Sequence, residues 1–213
     1  MDLKETIRQC AENGERLLED ADFLKDMERY PSAYAFAKLA QEEFAKALIL
    51  KLVSSGALQW TPEVRWTLNH HVPKQLMSVI LDYLHPTTED FLEKIRTGTL
   101  FKWPKKMADS INIYIHEILK RRESKNWEWA EDPHWDAEAT QVFNGKEERR
   151  KHDALYVSIS RDGKAVSRAE FQEDEVAAEI DRAKRFSSFA RNDNPDALYG
   201  EVAHIVKLLT QKS

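Results

Sequence analysis

Two clusters of ionisable residues could carry chemistry. The first is Glu42, Glu43 and Lys46, set inside the apolar run AYAFAKLAQEEFAKALILKLV from Ala33 to Val53. The second is RWTLNHHVPK, from Arg65 to Lys74, with His70 and His71 adjacent. A carboxylate among hydrocarbon side chains is costly unless it is paired, hydrogen-bonded or protonated. An imidazole titrates near neutral pH and can move protons. Lysine and arginine side chains beside it would hold an anion such as phosphate.

On a helix that advances about 100° per residue, Leu39, Ala40, Glu43, Ala47 and Leu50 share a stripe with Phe36. Glu43 is centred on that stripe, and Glu42 lies to one side, nearer Lys38. Lys46 follows Glu43 by three residues and Glu42 by four. The wheel therefore predicts Glu43 in a polar pocket of the core and Glu42 in a surface pair with Lys46. The plainer reading of Glu43 is a salt bridge to Lys46 or the cap of another helix. For the histidines, a helix C-terminus would favour the imidazolium of His70 or His71, and Lys74 would oppose it. A surface pair at a helix end, or one ring packed in the core, is the plainer reading. Lys46 stands three residues after Glu43 and Ala45 three after Glu42, so neither glutamate heads the Glu-x-x-His pair of a carboxylate di-iron bundle. No metal and no cofactor is expected.

The elements that must position these groups read as helices. Leu3 to Glu28 keeps a three- and four-residue apolar spacing through Ile7, Cys10, Gly14, Leu17, Leu18, Ala21 and Leu24. Asn13-Gly14 interrupts it at a point suited to a close helix approach. Tyr30-Pro31-Ser32 opens the second helix, which stops in Ser54-Ser55-Gly56. Thr61 and Pro62 start a third, expected to end near His71 because Val72 precedes Pro73. Lys74 to Leu84, Asp90 to Arg96, Ala108 to Arg122, Glu173 to Ala190 and Pro195 to Thr210 read as further helices. Asn126 to His152 has no clean period and reads as a structured loop or insertion. Leu155 to Ser160 alternates like a short strand before the turn Arg161-Asp162-Gly163-Lys164. The expected fold is an all-α bundle of six or seven helices with one short extended element. It forms a single helical domain over residues 1–213, with 123–165 as a probable insertion or loop-rich segment.

Composition narrows the function. Apolar residues are 42% and charged residues 32% of 213, which suits a folded helical protein. The net charge of −5 offers no global field for nucleic acid, so any such contact needs a local patch. The one cysteine excludes an intrachain disulfide and points to a reducing, cytoplasmic setting. No apolar run is long enough to span a bilayer, so no membrane partner is expected.

Asn13, Leu17 and Ala21, then ERYPSAYAFAKLAQEEFAKALIL, then His71-x-x-Lys74, then KEERRKHDALYVS, follow in order the pattern of the AbiV abortive infection proteins. The chain resembles that family from the first helix to past the LYV segment. The resemblance implies a bacterial anti-phage toxin with a HEPN-like helical bundle, usually a homodimer. Many HEPN proteins are metal-independent ribonucleases, with an Arg followed after four to six residues by a His. Arg65 to His70 and Arg65 to His71 fit that spacing, although Trp66 departs from the polar residue often found there. On a regular helix neither pair shares a face. The AbiV-like pattern itself implies Glu43, Lys46, His71 and Lys74 as the catalytic set, with Arg150 and Tyr156 from the third region. Arg65 and His70 join these two as substrate-binding candidates. RNA cleavage would use His71 as base or acid, with Lys46, Lys74 and Arg150 on the phosphate and Glu43 as orienting group. The rival class is a non-catalytic effector that docks on a phage protein or a translation component. Trp127, Trp129 and Trp135 would be its anchors, or else the core of the insertion.

Overall fold

The computed structural model describes residues 3–56, 59–84, 141–142, 144–165 and 169–191. Among them are six helices and no sheet: α1 (Lys4–Asp26), α2 (Tyr30–Ser54), α3 (Pro62–Asn69), α4 (His71–Leu84), α5 (Lys146–Leu155) and α6 (Glu173–Arg191). The all-α expectation holds. The helices expected at 90–96, 108–122 and 195–210, and the tryptophans at 127, 129 and 135, lie outside the described residues. The chain divides into two compact units. One comprises Met1–Lys51 with Gly145–Asn192, the other Leu52–Asn144 with Asp193–Ser213.

In the first unit α1 is amphipathic as its spacing predicts, burying Ala11, Gly14, Leu17, Leu18 and Ala21. It packs along α6, and Lys184–Asp22 and Arg191–Glu15 pair at the edges of that contact. α1 ends in a Schellman turn. The Arg29 N–H donates to the Leu24 carbonyl and the Glu28 N–H to the Lys25 carbonyl. Glu28 takes the left-handed conformation that glycine usually fills there, with φ 58°.

α2 is the central element. Ala33, Tyr34, Ala35, Ala37, Ala40, Phe44, Ala45, Ala47, Leu48, Ile49 and Leu50 are all buried, and they lie on most sides of the helix. Phe36, Leu39, Glu43 and Lys46 form its part-exposed side and the remaining sides are buried, so contacts with its neighbours set its rotation. Two are visible. Lys51 Nζ donates to the carbonyls of Phe189 and Ala190, capping the C-terminus of α6. Gly14 lets α1 approach Phe44, where a Cβ would lie 2.5 Å from the ring.

The segment 146–155 is helical, not loop. Gly145 starts it in the left-handed region with φ 71°. Its charge hides an amphipathic helix whose inward positions include a lysine, since Lys151 and Ala154 are buried. The expected strand shrinks to one antiparallel bridge, Ile159 to Ala165, around the turn at Gly163.

In the second unit Thr61 caps α3, with its Oγ1 accepting from the Val64 N–H at 3.3 Å. α3 stops at Asn69, one turn or less from the expected end, and His70 is extended. α4 then begins at His71, three residues before the expected start. Pro73 falls in its first turn, where a missing N–H costs no helical hydrogen bond.

Substituting Gly14 tests the α1–α2 approach. Alanine would gain about 1 kcal/mol of helix propensity, but overpacking against an immobile buried ring costs about 1–3 kcal/mol. Gly14→Ala should therefore lower the urea midpoint. Adding Phe44→Leu should make the alanine less harmful than it is in the wild-type background.

Candidate functional site

The polar groups of the first unit assemble around α2. Lys38 is almost fully buried, and its ammonium meets Glu147 of α5 at 2.8 Å and Glu179 of α6 at 3.0 Å. Gln41 Nε2 donates to the Glu179 carboxylate at 2.8 Å and to its backbone carbonyl at 2.9 Å. The Tyr34 hydroxyl donates to Glu147 at 3.2 Å. One turn along α2, Glu42 accepts from Lys151 of α5 at 2.7 Å, and Lys151 also reaches Glu148 at 2.7 Å. Three helices are thus tied by alternating charges.

Glu42, not Glu43, is the core carboxylate. Glu42 is 2% exposed. Glu43 is half-buried and pairs with Lys46 at 2.5 Å. The wheel failed because it took the side of Phe36, Leu39 and Glu43 as inward, whereas those positions form the part-exposed side of α2. Lys46 takes the plainer role weighed for Glu43, an i,i+3 partner. The sequence did hold a signal for the true network. Tyr34, Lys38, Gln41 and Glu42 recur at i, i+4, i+7 and i+8, a polar stripe on an otherwise apolar helix.

Electrostatics follow the geometry. Burial alone would push the Glu179 carboxyl up, but Lys38 and Arg182, with hydrogen bonds from Gln41 and Lys38, hold it down at about 2. Burial likewise opposes the Lys38 ammonium, and Glu179 and Glu147 overcome it and raise its pKa. Burial, then Glu147 and Glu179, push the Tyr34 phenol up, so it stays a hydrogen-bond donor. Cys10 is half-buried. Burial and the nearby Glu43 push its thiol up, disfavouring the thiolate.

Arg150 and Tyr156 also belong to the first unit. The Arg150 guanidinium donates to both oxygens of Glu175 at 2.6 Å and lies over the Phe171 ring at 4.3 Å. Glu175 raises its pKa further. Tyr156 is exposed, and its ring lies tilted by 34° against His152 with centroids 4.5 Å apart.

Arg65, His70, His71 and Lys74 belong to the second unit, at the α3–α4 corner. Arg65, His70 and His71 are exposed, and Lys74 is buried in the first turn of α4. The helix C-terminus expected for both histidines applies to His70 alone, since His71 opens the next helix. The corner also removes the objection from helical geometry, because Arg65 and His71 are not on one continuous helix. His70 stacks on Trp66, with centroids 4.1 Å apart, and its Nδ1 lies 2.7 Å from the Trp66 carbonyl. A carbonyl only accepts, so Nδ1 carries a proton and Nε2 holds the lone pair of the neutral ring. Glu-x-x-His spacing does occur at Glu131/His134 and Glu201/His204, outside the described residues.

Helices joined through buried ion pairs in the first unit, and an α3–α4 corner with exposed Arg65, His70 and His71 in the second, make this an all-α protein. The chain belongs to the AbiV family of HEPN proteins, whose family model matches residues 2–188. That span holds every candidate residue named above. No curated protein and no solved structure matches the chain significantly. No helix among the described residues is long and apolar enough to cross a membrane.

Lys151→Met should destabilise the protein by about 3–5 kcal/mol by taking the ammonium from buried Glu42. The double variant Glu42→Leu/Lys151→Met should recover most of that loss in urea unfolding. The pH dependence tests Glu179. Its folded pKa of about 2 lies below the ordinary 4.5, so its contribution is complete above 4.5 and disappears as pH falls toward 2. Wild type should lose stability across that window, and Glu179→Gln should flatten the acid limb of the urea midpoint.

Proposed function

We propose that this protein is an abortive-infection effector that arrests growth or translation by cleaving RNA without a metal, and that the α3–α4 corner supplies the chemistry. Membership of the AbiV family supports the defence role. The observation that carries the mechanism is the corner itself: exposed Arg65, His70 and His71, with the His70 Nδ1 occupied by Trp66. His70 Nε2 takes the proton of the ribose 2′-hydroxyl as that oxygen attacks phosphorus. The bond to the 5′-oxygen breaks, and His71 returns a proton to it. The products are a 2′,3′-cyclic phosphate and a free 5′-hydroxyl. Arg65 offsets the extra negative charge on the pentacovalent phosphorus. His71 keeps the acid–base role that the family pattern implies, and His70 takes the base role because its tautomer is defined. We place the protein in the cytoplasm as a homodimer.

A second reading has its own support. Lys46 and Arg150, which would hold phosphate in the family-derived site, are already engaged by Glu43 and Glu175. A protein in which these two cations are paired could act by docking on a phage or translation protein instead.

Incubation of purified protein with total cellular RNA in EDTA separates the two. Wild type should yield fragments ending in cyclic phosphate. His70→Ala should slow this roughly 10²- to 10⁴-fold, with the circular dichroism spectrum unchanged, and Arg65→Ala should slow it as well. Intact RNA with wild type overturns the ribonuclease reading, and full activity in His70→Ala overturns the role given to the α3–α4 corner.

A further inference from the structure

The outer side of α1 ends in two exposed apolar side chains. Phe23 is 66% and Met27 58% exposed. They stand one turn apart, on the side away from the buried Gly14, Leu18 and Ala21. Single exposed apolar residues are ordinary, but two large ones in reach of each other form a patch. The positions bordering Phe23 on the helix surface, three and four residues away, are Glu19, Asp20, Asp26 and Met27, so three of the four are carboxylates. From Glu15 to Glu28 six carboxylates stand against Arg16 and Lys25. Arg191 and Lys184 of α6 answer Glu15 and Asp22, Arg16 answers Asp20 at 3.1 Å, and Lys25 lies 3.7 Å from Asp26. Glu19 and Glu28, both exposed, are the excess. Tyr30 lies beside both Glu28 and Glu173, so the acidic rim continues onto α6, where Asp174 is exposed as well. Arg29 is an exposed counter-charge at this end.

We propose that the Phe23–Met27 patch docks a short basic segment of a partner protein. An apolar side chain of that segment covers Phe23 and Met27, and its Lys or Arg side chains lie among Glu19, Asp26 and Glu28. Charge complementarity chooses this occupant. The acidic rim repels phosphates, so nucleic acid and anionic lipid are disfavoured. A second copy meeting the patch across a two-fold axis would set the same carboxylates face to face. The carbonyl end of α1 adds partial negative charge at the same place. Phe23 offers a ring face to a guanidinium or ammonium. Met27 is unbranched and adapts to the shape of what it covers. Removing both side chains from water supplies affinity, and the rim supplies sign and approach. The inference rests on the docking reading for its kind of partner, a protein, and it assumes nothing about the α3–α4 corner.

The probe is a fluorescent amphipathic peptide of leucine and lysine, about 15 residues long, titrated with the full chain beside a peptide in which glutamate replaces every lysine. Wild type should bind the lysine peptide, lose affinity several-fold as salt rises from about 0.05 to about 0.3 M, and leave the glutamate peptide unbound. Phe23→Ser/Met27→Ser should weaken binding about tenfold. Glu19→Lys/Glu28→Lys should weaken it several-fold and reduce its salt dependence. Two controls should bind like wild type: Ile159→Ser, at an exposed apolar residue elsewhere, and Glu5→Lys, at the other end of α1. The substituted side chains are exposed, so urea midpoints should match wild type. If the double serine variant does not fold, Met27→Ser and the charge variant carry the test. Absence of binding by wild type, equal affinity for the two peptides, or wild-type affinity in both patch variants overturns the proposal. A wild-type dimer in sedimentation that Phe23→Ser/Met27→Ser dissociates would assign the patch to a second copy and overturn it as well. Peptide binding through Phe23 together with RNA cleavage that requires His70 supports the surface and sinks the docking reading alone. Neither binding nor cleavage sinks the surface and leaves the docking reading to another face.

Discussion

The interaction on which the first unit depends is the buried ammonium of Lys38, shared by Glu147 of α5 and Glu179 of α6. An ammonium cannot be left in a core without anions, because the lost hydration is not otherwise replaced. Its two carboxylates come from two other helices, so the contact fixes three elements at once. A shift of α5 or α6 by one residue rotates its side chains by about 100° and withdraws a carboxylate. The Glu42–Lys151 pair repeats the constraint one turn along α2. Such pairs add little net stability over an apolar replacement of the same shape. Their effect is to penalise every packing in which a partner is missing.

That constraint accounts for how many charged residues of the first unit are paired with one another. Lys38, Lys151 and Arg150 already meet carboxylates, and Glu179 is held well below the ordinary carboxylate range by the cations around it. The two imidazoles of the α3–α4 corner, by contrast, are exposed. The charges thus divide between interior groups that join helices and groups that are exposed. α5 shows the division within a single helix, with Lys151 inward and Arg149 outward.

Much of the fold was legible residue by residue. The period of α1, the Thr61 cap and the turn at Gly163 are local features, and local sequence encodes them. Gly14 was readable as a point of close approach, though its partner Phe44 was not. The third region was misread, because its dense charge looked like solvent exposure. Helix α5 uses a buried lysine where an apolar residue would be expected, and only a carboxylate on another helix makes that tolerable.

The sequence alone determined that the chain is helical, that it resembles AbiV proteins, and that α2 carries charge into an apolar environment. Tertiary structure alone decided which charge is inside and what meets it. Glu42 and Lys151 are 109 residues apart in the chain, and no periodicity reaches that far. α2 is apolar on all sides, so its pattern names no inward direction and the wheel had nothing to orient it. Rotation was settled by neighbours, through the requirement that each buried charge find its opposite.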